Sequence, residues 1–215
     1  MLYAIISSLA AAFFRLLFRL EVRGAEHVPA VGPAMIVANH SSVFDPPLVS
    51  AAAPRPLHFM AKAELFSIPL FGRLIRAVNA RPVRREGGDA RALREALRIL
   101  ESGQALLVFP EGTRGPEGML REGRAGAGML AILSGAPVVP VFHLGSEKVL
   151  PRGARWFRRV PLRVRFGPPL RFGAGGAGGA RDRADRESAE AFGRQLMEAI
   201  AALRPTAEQP VSISR

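Results

Sequence analysis

One histidine and one carboxylate stand five positions apart in Asn39-His40-Ser41-Ser42-Val43-Phe44-Asp45-Pro46, directly after the apolar run Ala34-Met35-Ile36-Val37-Ala38. A strand ending at Ala38 delivers His40 to the edge of a sheet. A tight turn can bring Asp45 back to its ring. That pairs a base with an orienting acid, the arrangement that takes a proton from an alcohol. No protein nucleophile is required if the substrate supplies the hydroxyl and the other reactant is an activated ester. Taken alone, the pair reads equally well as a helix cap, a surface pair or a satisfied core histidine.

A second block changes that balance. Phe109-Pro110-Glu111-Gly112-Thr113-Arg114 follows the apolar run Ala105-Leu106-Leu107-Val108, so a strand ends there in a polar turn. Together the two blocks resemble the signatures of the glycerolipid acyltransferase family: a histidine and an aspartate separated by four residues, and a Phe-Pro-Glu-Gly-Thr-Arg motif. Two further stretches are similar to weaker family blocks. Ala80-Arg81-Pro82-Val83-Arg84-Arg85 matches the second with Arg85 as its terminal arginine, although Arg84 stands where an aspartate is common. Val138-Val139-Pro140-Val141 matches the fourth, and Lys62 occupies a position where many members carry lysine.

The resemblance implies transfer of a fatty acyl group from acyl-CoA or acyl carrier protein to the free hydroxyl of 1-acylglycerol-3-phosphate, giving phosphatidic acid for phospholipid synthesis. No cofactor is implied. In this reading His40 is the general base, and Asp45 fixes its tautomer and stabilises the imidazolium. Arg114 is the first candidate for the phosphate, because a guanidinium matches phosphate oxygens; Lys62 and Arg85 follow. Glu111 would orient Arg114 or meet a glycerol hydroxyl. Gly112 would allow a tight turn or close approach, and Thr113 would offer a hydroxyl or a cap. The tetrahedral intermediate needs hydrogen-bond donors, for which a backbone N–H near the His40 turn is one option. The same motifs admit another lysophospholipid or a lyso-aminolipid as acceptor.

Elements that would position these residues alternate along the chain. Apolar runs predict strands over Leu20–Val22, Ala34–Ala38, Leu57–Ala61, Asn79–Val83, Ala105–Phe109, Val138–Phe142 and Leu162–Phe166. Helical spacing predicts helices over Asp45–Ala53, Ile68–Ala77, Asp89–Glu101, Gly123–Leu133 and Arg181–Leu203. This alternation points to an α/β fold, a central mostly parallel sheet flanked by helices. Both motifs then lie beyond the carboxyl ends of strands, where such sheets collect active residues. Gly123-Arg124-Ala125-Gly126-Ala127-Gly128 lacks the Rossmann and Walker patterns; its small residues read as letting a helix pack close to the sheet. Ser41 and Ser42 lack the Gly-x-Ser-x-Gly elbow of a serine hydrolase.

The ends carry their own signals. Residues 1–19 begin with an apolar run from Leu2 to Phe14, followed by Arg15 and Arg19. This is short for a spanning helix and lacks signal-peptide features. It reads as a membrane-associated helix dipping into one leaflet, with packing on the protein's own core as the alternative. Residues 20–172 form the acyltransferase domain in this division. Residues 173–204 comprise a Gly-rich linker and a C-terminal helix whose stripe Phe192, Leu196, Ile200 and Leu203 faces a core. Residues 205–215 read as a disordered tail.

Composition limits the partners. The 215 residues carry 30 Lys+Arg against 18 Asp+Glu, a net charge of +12, and no cysteine. Disulfides and thiolate metal sites are therefore excluded, and the four histidines lack paired metal-ligand spacing. Such a positive surplus fits a polyanionic partner. With the resemblance, that partner is an anionic membrane surface at the cytoplasmic face of a bacterial inner membrane, besides the lysolipid and the acyl donor. A nucleic-acid-binding protein is the other reading of charge alone, but no recognised module pattern accompanies it.

Overall fold

The computed structural model describes residues 2–83, 89–115, 120, 123, 125–151, 156–172 and 186–205. Seven strands, β1 (Glu21–Arg23), β2 (Ala34–Ala38), β3 (Leu57–Lys62), β4 (Ala80–Val83), β5 (Ala105–Val108), β6 (Val138–Leu144) and β7 (Arg163–Phe166), form one sheet in the order β1-β7-β6-β2-β5-β3-β4. β2, β3, β4, β5 and β6 run parallel to one another, with pairs such as Ile36↔Leu107 and Ile36↔Val139. β7 is antiparallel to β6 and parallel to β1. The expected mostly parallel sheet is thus present, with a reversed pair at one edge.

All five residues of β2 are buried, as expected of a central strand covered on both faces. Successive side chains of a strand point to opposite faces, and they sort accordingly. Ala34, Ile36 and Ala38 join the core beneath α1 (Leu2–Phe18), α2 (Asp45–Ala52) and α3 (Phe71–Ala77), with Phe14, Phe18, Leu48 and Ile75. Met35 and Val37 join the opposite core beneath α4 (Asp89–Glu101), α5 (Ala125–Ser134) and α7 (Arg186–Ala202), with Leu100, Leu130, Leu196 and Ile200. The C-terminal stripe therefore packs on the core, as its spacing predicts. A further short helix, α6 (Ser146–Val149), follows β6; its four residues give no periodic signal. The linker after Phe172 and the chain beyond Pro205 lie outside the described residues.

Two contacts fix elements that matter below. At Gly128 an added Cβ would sit 1.9 Å from the Ala189 carbonyl oxygen, so α5 and α7 touch backbone to backbone; at Gly128 the small residue serves a helix–helix contact rather than the close helix–sheet packing expected. α1 lies against α2, and the Tyr3 hydroxyl accepts the Leu57 N–H at 3.0 Å. The other side of α1 exposes Leu2, Ile5, Leu9 and Leu16. Among the described residues no helix is long and apolar enough to cross a membrane. The N-terminal helix is therefore packed on the protein's own core along one side and apolar along the other.

Candidate active site

The carboxyl ends of β2, β5 and β6 meet at the middle of the sheet, and the chain leaves each of them into polar turns. His40 lies two residues past β2. Its ring stacks on Phe109, one residue past β5, at 4.2 Å between centroids and 23° between planes. Asp45 is the first residue of α2, which carries Pro in its opening turn, where proline is tolerated and a negative charge is favoured by the helix dipole. The turn folds back as the spacing predicts: His40 Nδ1 lies 2.8 Å from Asp45 Oδ2. The same oxygen accepts the backbone N–H groups of Ser41 and Ser42, each at 2.7 Å. Asp45 is fully buried, while the His40 side chain keeps 19% exposure. Nδ1 thus points at the carboxylate, and Nε2 is the nitrogen left for a substrate.

Burial acts most strongly on Asp45 and pushes its carboxyl up. The charge of nearby His143 and hydrogen bonds from His40, Ser146 and the Ser42 backbone outweigh it, holding the group below the usual carboxylate range. Asp45 is therefore an anion throughout the neutral range, as an orienting acid must be.

The second motif folds over the first. Phe109 O accepts the Gly112 N–H at 3.1 Å, closing a turn, and Gly112 takes φ 69° there, a conformation that favours glycine. Glu111 is buried, and its Oε1 accepts the His40 N–H at 2.9 Å. Four residues further the Gly115 N–H donates to His40 O at 2.8 Å. Both sides of the His40 backbone are thereby held by the loop that carries Glu111, Gly112, Thr113 and Arg114. Thr113 is half-buried in this loop and Arg114 is exposed. Lys62 ends β3 on the same sheet edge and is exposed. β5 lies between β3 and β2, so strand spacing puts the end of β3 about 10 Å from that of β2. Arg85 lies outside the described residues.

Known proteins carry the same layout. The sequence model of the family described as Acyltransferase matches residues 19–144. The chain belongs to the Acyltransferase family. A 1-acyl-sn-glycerol-3-phosphate acyltransferase of Limnanthes alba is 32% identical over 154 residues, which span 70% of this chain and 54% of that protein. An uncharacterized protein of Mycobacterium tuberculosis is 34% identical over 163 residues, 69% of this chain and 43% of its own length. The chain thus spans about half the length of the curated relatives it matches. The crystal structure of the 1-acyl-sn-glycerophosphate (LPA) acyltransferase PlsC from Thermotoga maritima superposes with a TM-score of 0.73 at 29% identity, covering 95% of this chain and 81% of that one.

Against the acyltransferase motifs, two sequence-based expectations change. The backbone N–H groups of His40, Ser41 and Ser42, considered as donors for the tetrahedral intermediate, are all engaged by carboxylates. Glu111, expected to orient Arg114 or meet substrate, also places Oε1 on the His40 backbone N–H.

Sequence reasoning missed three more residues at the site. His143, 1% exposed near the end of β6, approaches Asp45 Oδ2 to 3.5 Å through Nε2. Asn39 takes the His143 N–H on Oδ1 at 2.9 Å and donates Nδ2–H to His143 O at 3.1 Å. Ser146 Oγ lies 3.3 Å from His143 Nδ1 and 3.2 Å from Ser41 Oγ. A signal existed. The Val138–Phe142 run ends in a histidine just as the Ala34–Ala38 run ends in Asn39-His40, and parallel strands deliver both to one edge.

Proposed function

We propose that this member of the Acyltransferase family transfers a fatty acyl group from a thioester, acyl-CoA or acyl carrier protein, to the free hydroxyl of 1-acylglycerol-3-phosphate, forming phosphatidic acid. The observation that carries the reading is the 2.8 Å contact between His40 Nδ1 and Asp45 Oδ2 at a ring that stays partly exposed. Nε2 takes the hydroxyl proton as the lipid oxygen attacks the thioester carbonyl. The imidazolium formed is stabilised by Asp45. The tetrahedral intermediate collapses, the carbon–sulfur bond breaks, and the thiolate recovers the proton from Nε2.

The acceptor phosphate falls in this reading to Arg114, whose neighbour Gly115 donates its N–H to His40 O, with Lys62 further along the edge. A guanidinium fork meets phosphate oxygens in a bidentate way, and a lysine adds a point charge. The named function of the Limnanthes and Thermotoga relatives supports this acceptor. The outward face of α1 supports docking on a membrane. Leu9 and Leu16 are 65% and 82% exposed, and Arg15 and Arg19 stand beside them in a chain of net charge +12, a combination suited to an anionic lipid surface.

The experiment is a product analysis by mass spectrometry. Purified protein is given both classes of donor and a panel of lysophospholipids and lyso-aminolipids. Phosphatidic acid from wild type, its loss in His40→Ala, and a raised KM for the lysolipid in Arg114→Ala are the expected results. Acylation of a different acceptor moves the assignment to that lipid. Near-normal turnover by His40→Ala refutes the mechanism.

A further inference from the structure

The peptide unit joining Asn39 to His40 is gripped from both sides. Its N–H goes to Glu111 Oε1 at 2.9 Å. Its carbonyl, Asn39 O, lies 2.5 Å from His143 Nε2. A carbonyl only accepts, so Nε2 carries the proton and His143 is the donor. The other ring nitrogen faces Ser146 Oγ, which can donate or accept. The backbone of His143 is in turn fixed by both atoms of the Asn39 side-chain amide. None of this is needed for packing. A buried histidine costs desolvation, and an apolar residue would fill the end of β6 at lower cost.

We propose that His143 is a positioning residue of the acyl-transfer site: through Nε2–H it holds the Asn39 carbonyl, and with Glu111 on the opposite side it fixes the peptide plane from which the His40 ring projects. This rests on the function proposed above. The same donor nitrogen lies 3.5 Å from Asp45 Oδ2, so His143 also sits behind the carboxylate that orients His40. One buried imidazole thus braces both halves of the base-and-acid pair, one through the backbone and one through space. Small errors in the attack geometry are costly to catalysis, which gives such a brace its use.

The test compares His143→Phe, which removes the donor, with His143→Gln, whose side-chain Nε2–H can reach the same carbonyl but which cannot carry charge. In His143→Phe, kcat should fall about 10- to 100-fold while KM changes less than about threefold. In His143→Gln, kcat should return to within about fivefold of wild type. The proton resonance of His40 Nδ1–H, bonded to Asp45, supplies a readout independent of turnover: it should be retained in His143→Gln and lost or shifted in His143→Phe. If the phenylalanine variant does not fold, His143→Ala removes the donor without added bulk and takes its place. A donor-less variant with wild-type kcat and an unchanged resonance overturns the proposal, and so does a glutamine variant as slow as the donor-less one. Wild-type protein that acylates no lysolipid overturns the functional reading instead, and the resonance then still reports on the brace.

Discussion

The His40 N–H donates to Glu111 Oε1 across 2.9 Å and across 71 positions of sequence. The two motifs are therefore one structure, in which the acid of the second holds the backbone of the base in the first. Glu111 is 4% exposed, so this is a desolvated bond to a charged acceptor, a class worth about 1.5–3 kcal/mol. Glu111→Ala should lower kcat by about one to two orders of magnitude, because the loss acts on ring placement. Glu111→Gln keeps an acceptor oxygen and should retain most of the activity. Steady-state kinetics on the two variants decide the matter; equal damage in both would mean that the charge of Glu111, not its acceptor geometry, is what the site needs.

Asp45 gives a pH-dependent prediction. Burial pushes its carboxyl up, but His143 and the bonds from His40, Ser146 and the Ser42 backbone hold it below its ordinary value in the folded protein. A carboxylate with a depressed folded pKa stabilises the fold fully above its unfolded value, about 3.9. That stability is lost as pH falls through the lower folded value, because the unfolded chain then binds the proton first. The difference in urea unfolding free energy between wild type and Asp45→Asn should be flat near neutrality and shrink on acidification below about pH 5. A difference that widens in acid contradicts the assignment. The same variant should lose about 10³-fold or more in kcat at neutral pH, since an amide in place of the carboxylate selects the wrong imidazole tautomer.

Much of this was legible in the residues, and what was not has identifiable causes. Every strand overlaps one of the expected segments, although β1 (Glu21–Arg23) and β7 (Arg163–Phe166) alternate charged and apolar residues, and His40 and Asp45 lie on one turn, so their pairing needs no long-range knowledge. The signal for His143 was easy to pass over because its partner Asn39 is 104 positions away, and only the pairing of β2 with β6 brings the two strand ends together. The role of Glu111 was silent for a different reason. A sequence displays side chains, whereas the partner here is a backbone N–H. The reversed direction of β7 was also invisible, since an apolar run carries no polarity.

Two glycines of α5 should respond oppositely to the same change. At Gly128 a Cβ would stand 1.9 Å from Ala189 O, backbone that cannot yield without separating α5 from α7. At Gly126 no atom of the described residues lies within 4 Å of the same position. Gly128→Ala should destabilise by about 1–3 kcal/mol through overpacking. Gly126→Ala should stabilise by up to about 1 kcal/mol, the helix preference of alanine over glycine. Thermal or urea unfolding measures both, and a stabilised Gly128→Ala would show that the two helices are not in backbone contact.

The outer face of α1 can be separated from its inner one. Phe14 and Phe18 are 2% exposed and belong to the core, so removing the whole helix would damage the fold and confuse the question of membrane binding. Leu9 and Leu16, at 65% and 82% exposure, have little packing to lose. Burying a leucine side chain is worth about 1.5–3 kcal/mol, so two of them entering a bilayer contribute about 3–6 kcal/mol. A Leu9→Glu, Leu16→Glu protein should keep its unfolding midpoint within a few degrees of wild type, yet bind anionic vesicles at least about a hundredfold more weakly in a flotation assay. Turnover on lysolipid presented in vesicles should fall with binding, while turnover on monomeric short-chain lysolipid should not. Unchanged flotation would mean that this face has another use, and that the basic surface alone holds the protein to lipid.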